Sequence, residues 1–370
     1  MSALAEVTTN GRSGQRFGGR IGARPGPRLS VVVPATNEPP TLPRVLNAVA
    51  RSFDRADEII VVRVPNRMGP AAARNAGAAV ATGEVVVFVD ADIELHPDAL
   101  ARIRAAFDAD PDLTALFGSY DDDPSEGDAV SGFRNLLHHW VHQTNDGEAT
   151  TFWAGIGAVR REAFLHAGGF DARRFSAPSV EDVDLGLRLS ARGARIRLRR
   201  DIQGTHLKRW TLGTMVRTDF ASRGVPWMRL LLVHRSRAAT LNVGWQHPIS
   251  MLVSLAGLAA LAVGLPLITA ASCVLMVALN QRFYRLVRRR RGSRDALLAL
   301  PLHVLHHLAA AAAIPAGLWA GMRRGQDVSP PVITGPVITG PYSLVGGMSL
   351  PVAQPATNGH GRKNGGPPER

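Results

Sequence analysis

EVVVFVDAD, residues 84–92, is the stretch on which the reading of this chain turns. Val85 to Val89 are all β-branched or aromatic and run without a break into Asp90 and Asp92. A short apolar run with no polar alternation suits a strand buried on both faces, as in a sheet with helices on either side. Two carboxylates one residue apart at such a strand's end can face one cleft and hold Mg2+ or Mn2+ beside phosphate oxygens. Alone, so short a pattern reads equally as an acidic turn without a ligand. Its position weighs for the ligand, because α/β sheets bind beyond the carboxyl ends of their strands.

The flanking sequence repeats the alternation. LSVVVP (29–34) and EIIVV (58–62) are strands, and Leu113–Phe117 is another. Between them lie a helical stripe over Pro40–Phe53 (Leu42, Val45, Leu46, Val49), an alanine-rich helix over Pro70–Val80, and a helix after Pro97. Strand and helix alternating over about 90 residues predict an α/β sheet with parallel strands. Asn37 and Glu38 follow the first strand as Asp90 and Asp92 follow the third.

Further on, Glu181 and Asp182 open an amphipathic helix with Leu185, Leu187 and Leu189. Acids at a helix start are favoured by the helix dipole, which explains the pair without any catalysis. The order of the segments changes the weight. VVVPATNE, GPAAARNAGAAVATGEVVVFVDAD, TFWAGIGAVRREAFLHAGGFD and SVEDVDLGLRLSARG follow one another over residues 29–212. This succession resembles glycosyltransferase family 2. The C-terminal apolar hairpin, the RFYR segment and the PLH-containing last apolar stretch resemble membrane-associated bacterial members.

The resemblance implies a GT-A fold (nucleotide-diphospho-sugar transferase, a Rossmann-like mixed sheet), followed by C-terminal transmembrane helices. It implies inverting sugar transfer from a nucleotide-sugar donor with Mg2+ or Mn2+ as cofactor. By position, Ala35, Thr36, Asn37 and Glu38 match the loop at the nucleoside, and Arg74 matches a basic residue at the nucleotide. Asp90 and Asp92 match the pair at ribose and metal, with His206 near the metal or diphosphate. Asp182 matches the general base and Glu181 its neighbour; Trp153, Gly155, Arg209 and Trp210 match the acceptor side. The family's Asp-rich turn after the second strand is missing: Val62 is followed by Arg63-Val64-Pro65-Asn66. Uridine therefore does not follow, and nothing in the spacing puts Asp57 or Glu58 in its place.

Charge locates the rest. Of 370 residues, 43 are basic and 30 acidic, a net +13. Residues 1–28 hold five Arg against Glu6, the run 282–294 holds seven Arg and no acid, and the tail from Arg323 is also net basic. The remainder is about neutral, which argues against a nucleic-acid-binding surface on the folded part. Cys273 is the sole cysteine, excluding an internal disulfide framework and a Cys-based zinc site. Pro248–Leu279 and Ala296–Met322 carry no formal charge. Gly264 and Pro266 break the first into a hairpin of two short helices, leaving Arg229, Arg235 and Arg237 on the same cytosolic side as the seven-Arg run. The expected organisation is a disordered basic arm (1–28), a GT-A domain (29–235), a membrane region (246–322, hairpin 248–280 and span 296–322), and a disordered Pro/Gly-rich tail (323–370) in which PVITG occurs twice.

Other residues attract notice. His138, His139 and His142 place a pair at i, i+4, more simply a helix over the acceptor cleft than a metal site. Asp121–Asp123 read as a solvated turn, and Trp245 as an interface anchor. His303, His306 and His307 lie within the last span, equally functional or neutral. GIG at 155–157 lacks the third glycine of a dinucleotide fingerprint. The expected function is an inverting, metal-dependent glycosyltransferase of the inner membrane, its catalytic domain cytoplasmic. Its partners are a nucleotide-sugar donor and a lipid, lipid-linked or cell-envelope acceptor, with no nucleic acid. The alternative is a membrane-anchored nucleotide-sugar binding protein that has lost catalysis. His206 stands where a processive Q-x-x-R-W pattern has Gln, which leans toward single addition.

Overall fold

The structure, a computed structural model, describes residues 7–9, 26–63, 68–234 and 245–323. Most of the basic arm, Val64–Asn66, Arg235, Arg237 and the Pro/Gly-rich tail lie outside the described residues. In chain order the elements begin β1 (Val7–Thr9), β2 (Leu29–Pro34), α1 (Leu42–Ala50), β3 (Glu58–Val62), α2 (Pro70–Val80), β4 (Val85–Val89), β5 (Ile93–Leu95) and α3 (Ala99–Ala109). There follow β6 (Leu113–Tyr120), α4 (Ala129–Thr144), β7 (Gly147–Ala149), β8 (Ile156–Arg160), α5 (Arg161–His166), α6 (Glu181–Ser190) and β9 (Arg195–His206). After α7 (Leu212–Arg217) come a π-helical turn (Thr218–Gly224), α8 (Val225–His234), α9 (Gln246–Ala262), α10 (Pro266–Leu279) and α11 (Gln281–Arg323).

One sheet runs β1-β3-β2-β4-β8-β6-β9-β5, with β7 pairing on β9. β2 is parallel to β3 and β4, whereas β8 is antiparallel to both β4 and β6, and β6 is parallel to β9. The sheet is mixed, as the resemblance implies: the alternating strands are parallel, and β8 enters between β4 and β6 against their direction. Two antiparallel pairings in succession restore direction, so β2, β4, β6 and β9 all point the same way. Their carboxyl ends bring Ala35–Glu38, Asp90–Asp92, Asp121 and His206 to one edge.

β4 is buried on both faces, as its unbroken apolar run predicts. Val85, Val87 and Val89 meet α1 and α3, while Val86 and Phe88 meet α2, Phe164 and Leu185. Glycine lets α2 approach β2 closely: a Cβ on Gly77 would stand 2.4 Å from Val32 Cγ1. α4 is capped by Asp128, whose Oδ1 accepts from the amides of Val130 (3.0 Å) and Ser131 (2.9 Å).

The first apolar C-terminal stretch forms α9 and α10, a hairpin turned at Gly264 (φ 72°), where the Leu265 amide donates to Ala260 O at 2.8 Å. Asn280 closes its base by donating to Ser250 Oγ at 2.9 Å. In α11, Gly292 at φ 86° and ψ 176° interrupts the helix in a region favouring glycine. Gln281–Met322 is long and apolar enough to cross a membrane by length and composition. One face of this stretch is nevertheless covered by protein. Phe283, Val287, Ala299 and Leu302 pack with Phe133 and Leu136 of α4, and Gly317 and Gly321 lie against Met228 and Leu232 of α8.

α6 presses on the chain entering β8: a Cβ on Gly186 would meet Phe152 N at 2.3 Å and Thr151 C at 2.5 Å. Alanine is the better helix former by about 1 kcal/mol. Backbone atoms yield less readily than side chains, so Gly186→Ala is expected to destabilise the domain by about 1–3 kcal/mol in urea denaturation.

Candidate active site

At the edge where the strands end, Arg74 joins residues far apart in sequence. From the middle of α2 its Nη2 donates to Asp90 Oδ1 at 2.6 Å and its Nη1 to Glu181 Oε1 at 2.9 Å. Burial favours a neutral guanidinium, but Asp90 and Glu181 together outweigh it and raise the group's pKa. Glu181, itself buried, takes the Ser179 amide on its other oxygen at 2.8 Å. Arg74 and Glu181 therefore form an internal clamp between the end of β4 and the start of α6. The Arg74 side chain, expected at the nucleotide, is buried and forked between these two carboxylates.

The clamp leaves Asp182 beside it. Asp182 Oδ2 accepts from the Ala154 amide at 3.2 Å and Oδ1 from the Val183 amide at 2.8 Å. Burial, with Glu181 adding to it, lifts the Asp182 carboxyl to about 6 against the pull of Arg74 and the two amides. Asp90, whose amide donates to Gly155 O at 3.1 Å, is also raised, chiefly by burial against the opposing Arg74. Asp92 goes the other way. His206, with Nε2 at 3.6 Å from Asp92 Oδ2, and Lys208 outweigh burial and lower it. Neighbouring carboxyls are thus pushed apart, the pattern by which acid and base roles divide in one site.

The opposite wall is aromatic. Tyr120, the last residue of β6, stacks on His206 with centroids 4.2 Å apart and planes at 10°. Trp153 meets Tyr120 edge-on at 5.0 Å and His138 at 4.5 Å. Burial, with Asp92 and Asp90 nearby, pushes the Tyr120 phenol well above its ordinary range. A Cβ on Gly155 would lie 2.2 Å from the Trp153 ring, so only glycine lets the indole lie over that strand entry. Sequence reasoning passes over Tyr120, which carries no motif; its position at the end of a strand beside β8 is the signal that could find it.

The remaining candidates spread outward. Asn37 and Glu38 are exposed after β2; Glu38 adopts φ 43°, and Arg63 donates to its Oε1 at 3.4 Å. Ala35 is buried, its amide on Val62 O at 2.8 Å, and Thr36 donates to Met68 O at 2.7 Å. Arg209 is exposed, whereas Trp210 is buried among Phe133 and Met215 with the Arg134 guanidinium over its ring. Trp210 thus belongs to the packing beneath α4. His139 and His142 bind the Tyr120 and Gly118 carbonyls at 2.9 and 2.8 Å, which fits a helix beside the cleft. Burial pushes His138 well below its ordinary range and His142 down to about 4, so both are neutral. Asp121 departs from the solvated turn: it is buried, with Oδ2 on His96 Nε2 at 3.0 Å and on the Thr205 hydroxyl.

Residues 54–166 match the family model described as Glycosyl transferase family 2. No curated protein matches the chain. Among solved structures, the mannosyltransferase PcManGT from Pyrobaculum calidifontis, in complex with GDP-Man and Mn2+, is 17% identical over 80% of this chain and 88% of its own, with TM-score 0.46. GalNAc-T7 with UDP, GalNAc and Mn2+ is 18% identical over 57% of this chain and 48% of its own, with TM-score 0.42. S. aureus TarS 1–349 is 16% identical over 83% and 95%, with TM-score 0.39.

Arg74→Met strands Glu181 as a buried, uncompensated carboxylate. Losing one partner of such a pair is expected to cost about 3–5 kcal/mol, read by chemical denaturation. Arg74→Lys keeps the charge but not the fork, and is expected to recover only part of that loss.

Proposed function

We propose, from the premise that the α/β domain is a family 2 glycosyltransferase with a GT-A fold, that it transfers one sugar with inversion from a nucleotide-sugar donor to an acceptor hydroxyl. The observation carrying this reading is Asp182. It is half-buried, aimed by two amides, and lifted to about 6 beside a clamp that fixes its helix. A carboxylate of that pKa is ionised near neutral pH yet basic enough to take the proton of an attacking hydroxyl. The acceptor oxygen bonds to the anomeric carbon as the bond to the diphosphate oxygen breaks, and the proton passes to Asp182. Attack from the face opposite the diphosphate inverts that carbon.

Asp92, with His206 Nε2 3.6 Å from its Oδ2, is held ionised and offers a carboxylate of the kind Mg2+ or Mn2+ takes, and Asp90 stands two residues before it with one oxygen on Arg74. Such an ion supplies charge neutralisation for the departing nucleoside diphosphate. Asn37 and Glu38 lie at the nucleoside end of the same edge, and Trp153 with Gly155 at the acceptor end. Arg209 and Trp210 stand beyond them, Trp210 supporting α4.

The acceptor is a lipid, a lipid-linked glycan or another cell-envelope hydroxyl. Leu252 is 61% and Leu267 84% exposed, and Leu258, Leu261 and Val274 extend that apolar surface over α9 and α10. So large an exposed patch suits a membrane. At ~1.5 Å per residue, each hairpin helix falls short of a ~30 Å hydrocarbon core, so the hairpin dips in and returns to the cytosolic face. Trp245, 65% exposed at the start of α9, sits where an interfacial anchor belongs.

The test is nucleotide release by purified protein from UDP-, GDP- and dTDP-sugars with Mn2+. Asp182→Asn is expected to lower kcat by about 10²–10⁴ with donor affinity unchanged; undiminished transfer overturns the base assignment. Donor binding without turnover in the unaltered protein favours a binding protein instead. Because Asp182 acts ionised, with Glu181 and Arg74 facing it, log kcat/KM is expected to fall with unit slope as pH drops below about 6. That limb is absent from the residual activity of Asp182→Asn.

A further inference from the structure

A second cluster of chemistry-bearing side chains lies away from the catalytic edge, where α9, α11 and the π-helical turn meet. His247, at the second position of α9, and the consecutive His306 and His307 of α11 bring one ring nitrogen each within 4.8 Å of one another. His307 is 1% exposed, and neither of its ring nitrogens has a hydrogen-bond partner. A buried imidazole with both nitrogens orphaned is an unusual state for a polar group, since such groups are almost always paired. Its ring stacks on His303 at 4.5 Å and 26°, and His303 is held in turn by the Tyr284 hydroxyl at 3.1 Å.

His306 is oriented as a ligand would be. Its Nδ1 lies 2.8 Å from Asp219 Oδ2, and Asp219 Oδ1 is held by Arg134 at 2.9 Å. A carboxylate on Nδ1 keeps the proton there and leaves the Nε2 lone pair outward, the carboxylate–histidine arrangement that supports metal-bound imidazoles. With Arg134 on its other oxygen, Asp219 is fixed in that supporting place.

We propose that His247, His306 and His307 bind one divalent transition-metal ion, with Zn2+ the cation this donor set fits. Three imidazoles suit Zn2+, whereas oxygen donors suit Mg2+ and Ca2+. At Zn–N distances of ~2.0–2.1 Å, tetrahedral ligands stand roughly 3.3 Å apart. The 4.8 Å limit closes to that spacing by small rotations, for which half-buried His247 at a helix start has room. The fourth position is left for water. A cation here ties the α9 hairpin and α11 to the π-helical turn. Through Asp219 and Arg134 it reaches α4, which also carries His138 and His142 at the active site.

The experiment uses the full chain in detergent, purified without a polyhistidine tag. Zinc content is measured after desalting, and Co2+ replaces Zn2+ for visible spectroscopy. One equivalent of zinc and an intense tetrahedral Co2+ band are expected in the unaltered protein and in Asp92→Asn, which removes the oxygen-donor site. His247→Gln and His307→Gln are expected to weaken Zn2+ binding at least tenfold and to abolish the band. Added Zn2+ is expected to raise Tm in the unaltered protein and not in His247→Gln. Absence of stoichiometric zinc, or an equal equivalent in His247→Gln, overturns the proposal. His247 is half-buried at a helix start, so its variant decides between these outcomes should His307→Gln fail to fold.

Discussion

A buried guanidinium forked between two carboxylates holds together the edge where the strands end. Arg74 comes from α2, Asp90 from the end of β4 and Glu181 from the first turn of α6, so one side chain sets the relation of three elements. In low dielectric each charge would be costly alone, and together they fix a geometry that apolar packing would leave adjustable. Asp182 and Asp92 are what remain once Arg74 has taken its two partners. One is left raised by burial and the other lowered by His206 and Lys208.

The sheet makes this clamp useful. Because β8 runs against both β4 and β6, the strands that matter share a direction and end along a single edge. β8 also delivers its own entry, Trp153 to Gly155, to that edge, and the Gly155 carbonyl takes the Asp90 amide. The Trp153–Gly155 segment and the Asp90–Asp92 pair are therefore joined by backbone as well as by side chains.

Much of this is legible in the amino-acid sequence alone. An unbroken β-branched run ending in D-x-D, acids opening a leucine-striped helix, and a Gly-Pro break in an apolar stretch each act through neighbours within a few residues. β4, α6 and the α9–α10 turn follow from them. What stays hidden depends on distant partners. The antiparallel entry of β8 comes from a short IGAVR run that carries no directional mark. Arg74 reads as a basic residue at the nucleotide, and nothing local marks its pairing with Glu181, 107 positions later. Asp121 reads as solvated because its partners His96 and Thr205 lie on other elements. His306 and His307, adjacent in sequence, lack the i, i+4 spacing of a helical metal pair, and His247 lies on another helix.

The bend at Gly292 carries a consequence of its own. Before it, Arg290 pairs with Asp122, and Arg291 donates to the Gly127 carbonyl at 2.6 Å, so this part of the arginine run is bound to the domain. Beyond it, the helix presents His303, His306 and His307 to fixed partners at a set angular phase. Each residue of a helix advances about 100°, so an added or deleted residue after Gly292 would turn every later side chain away from its mate. Between the bend and Asp219, α11 is therefore phased like a key in a lock, intolerant of changes in length that the α9–α10 turn would absorb.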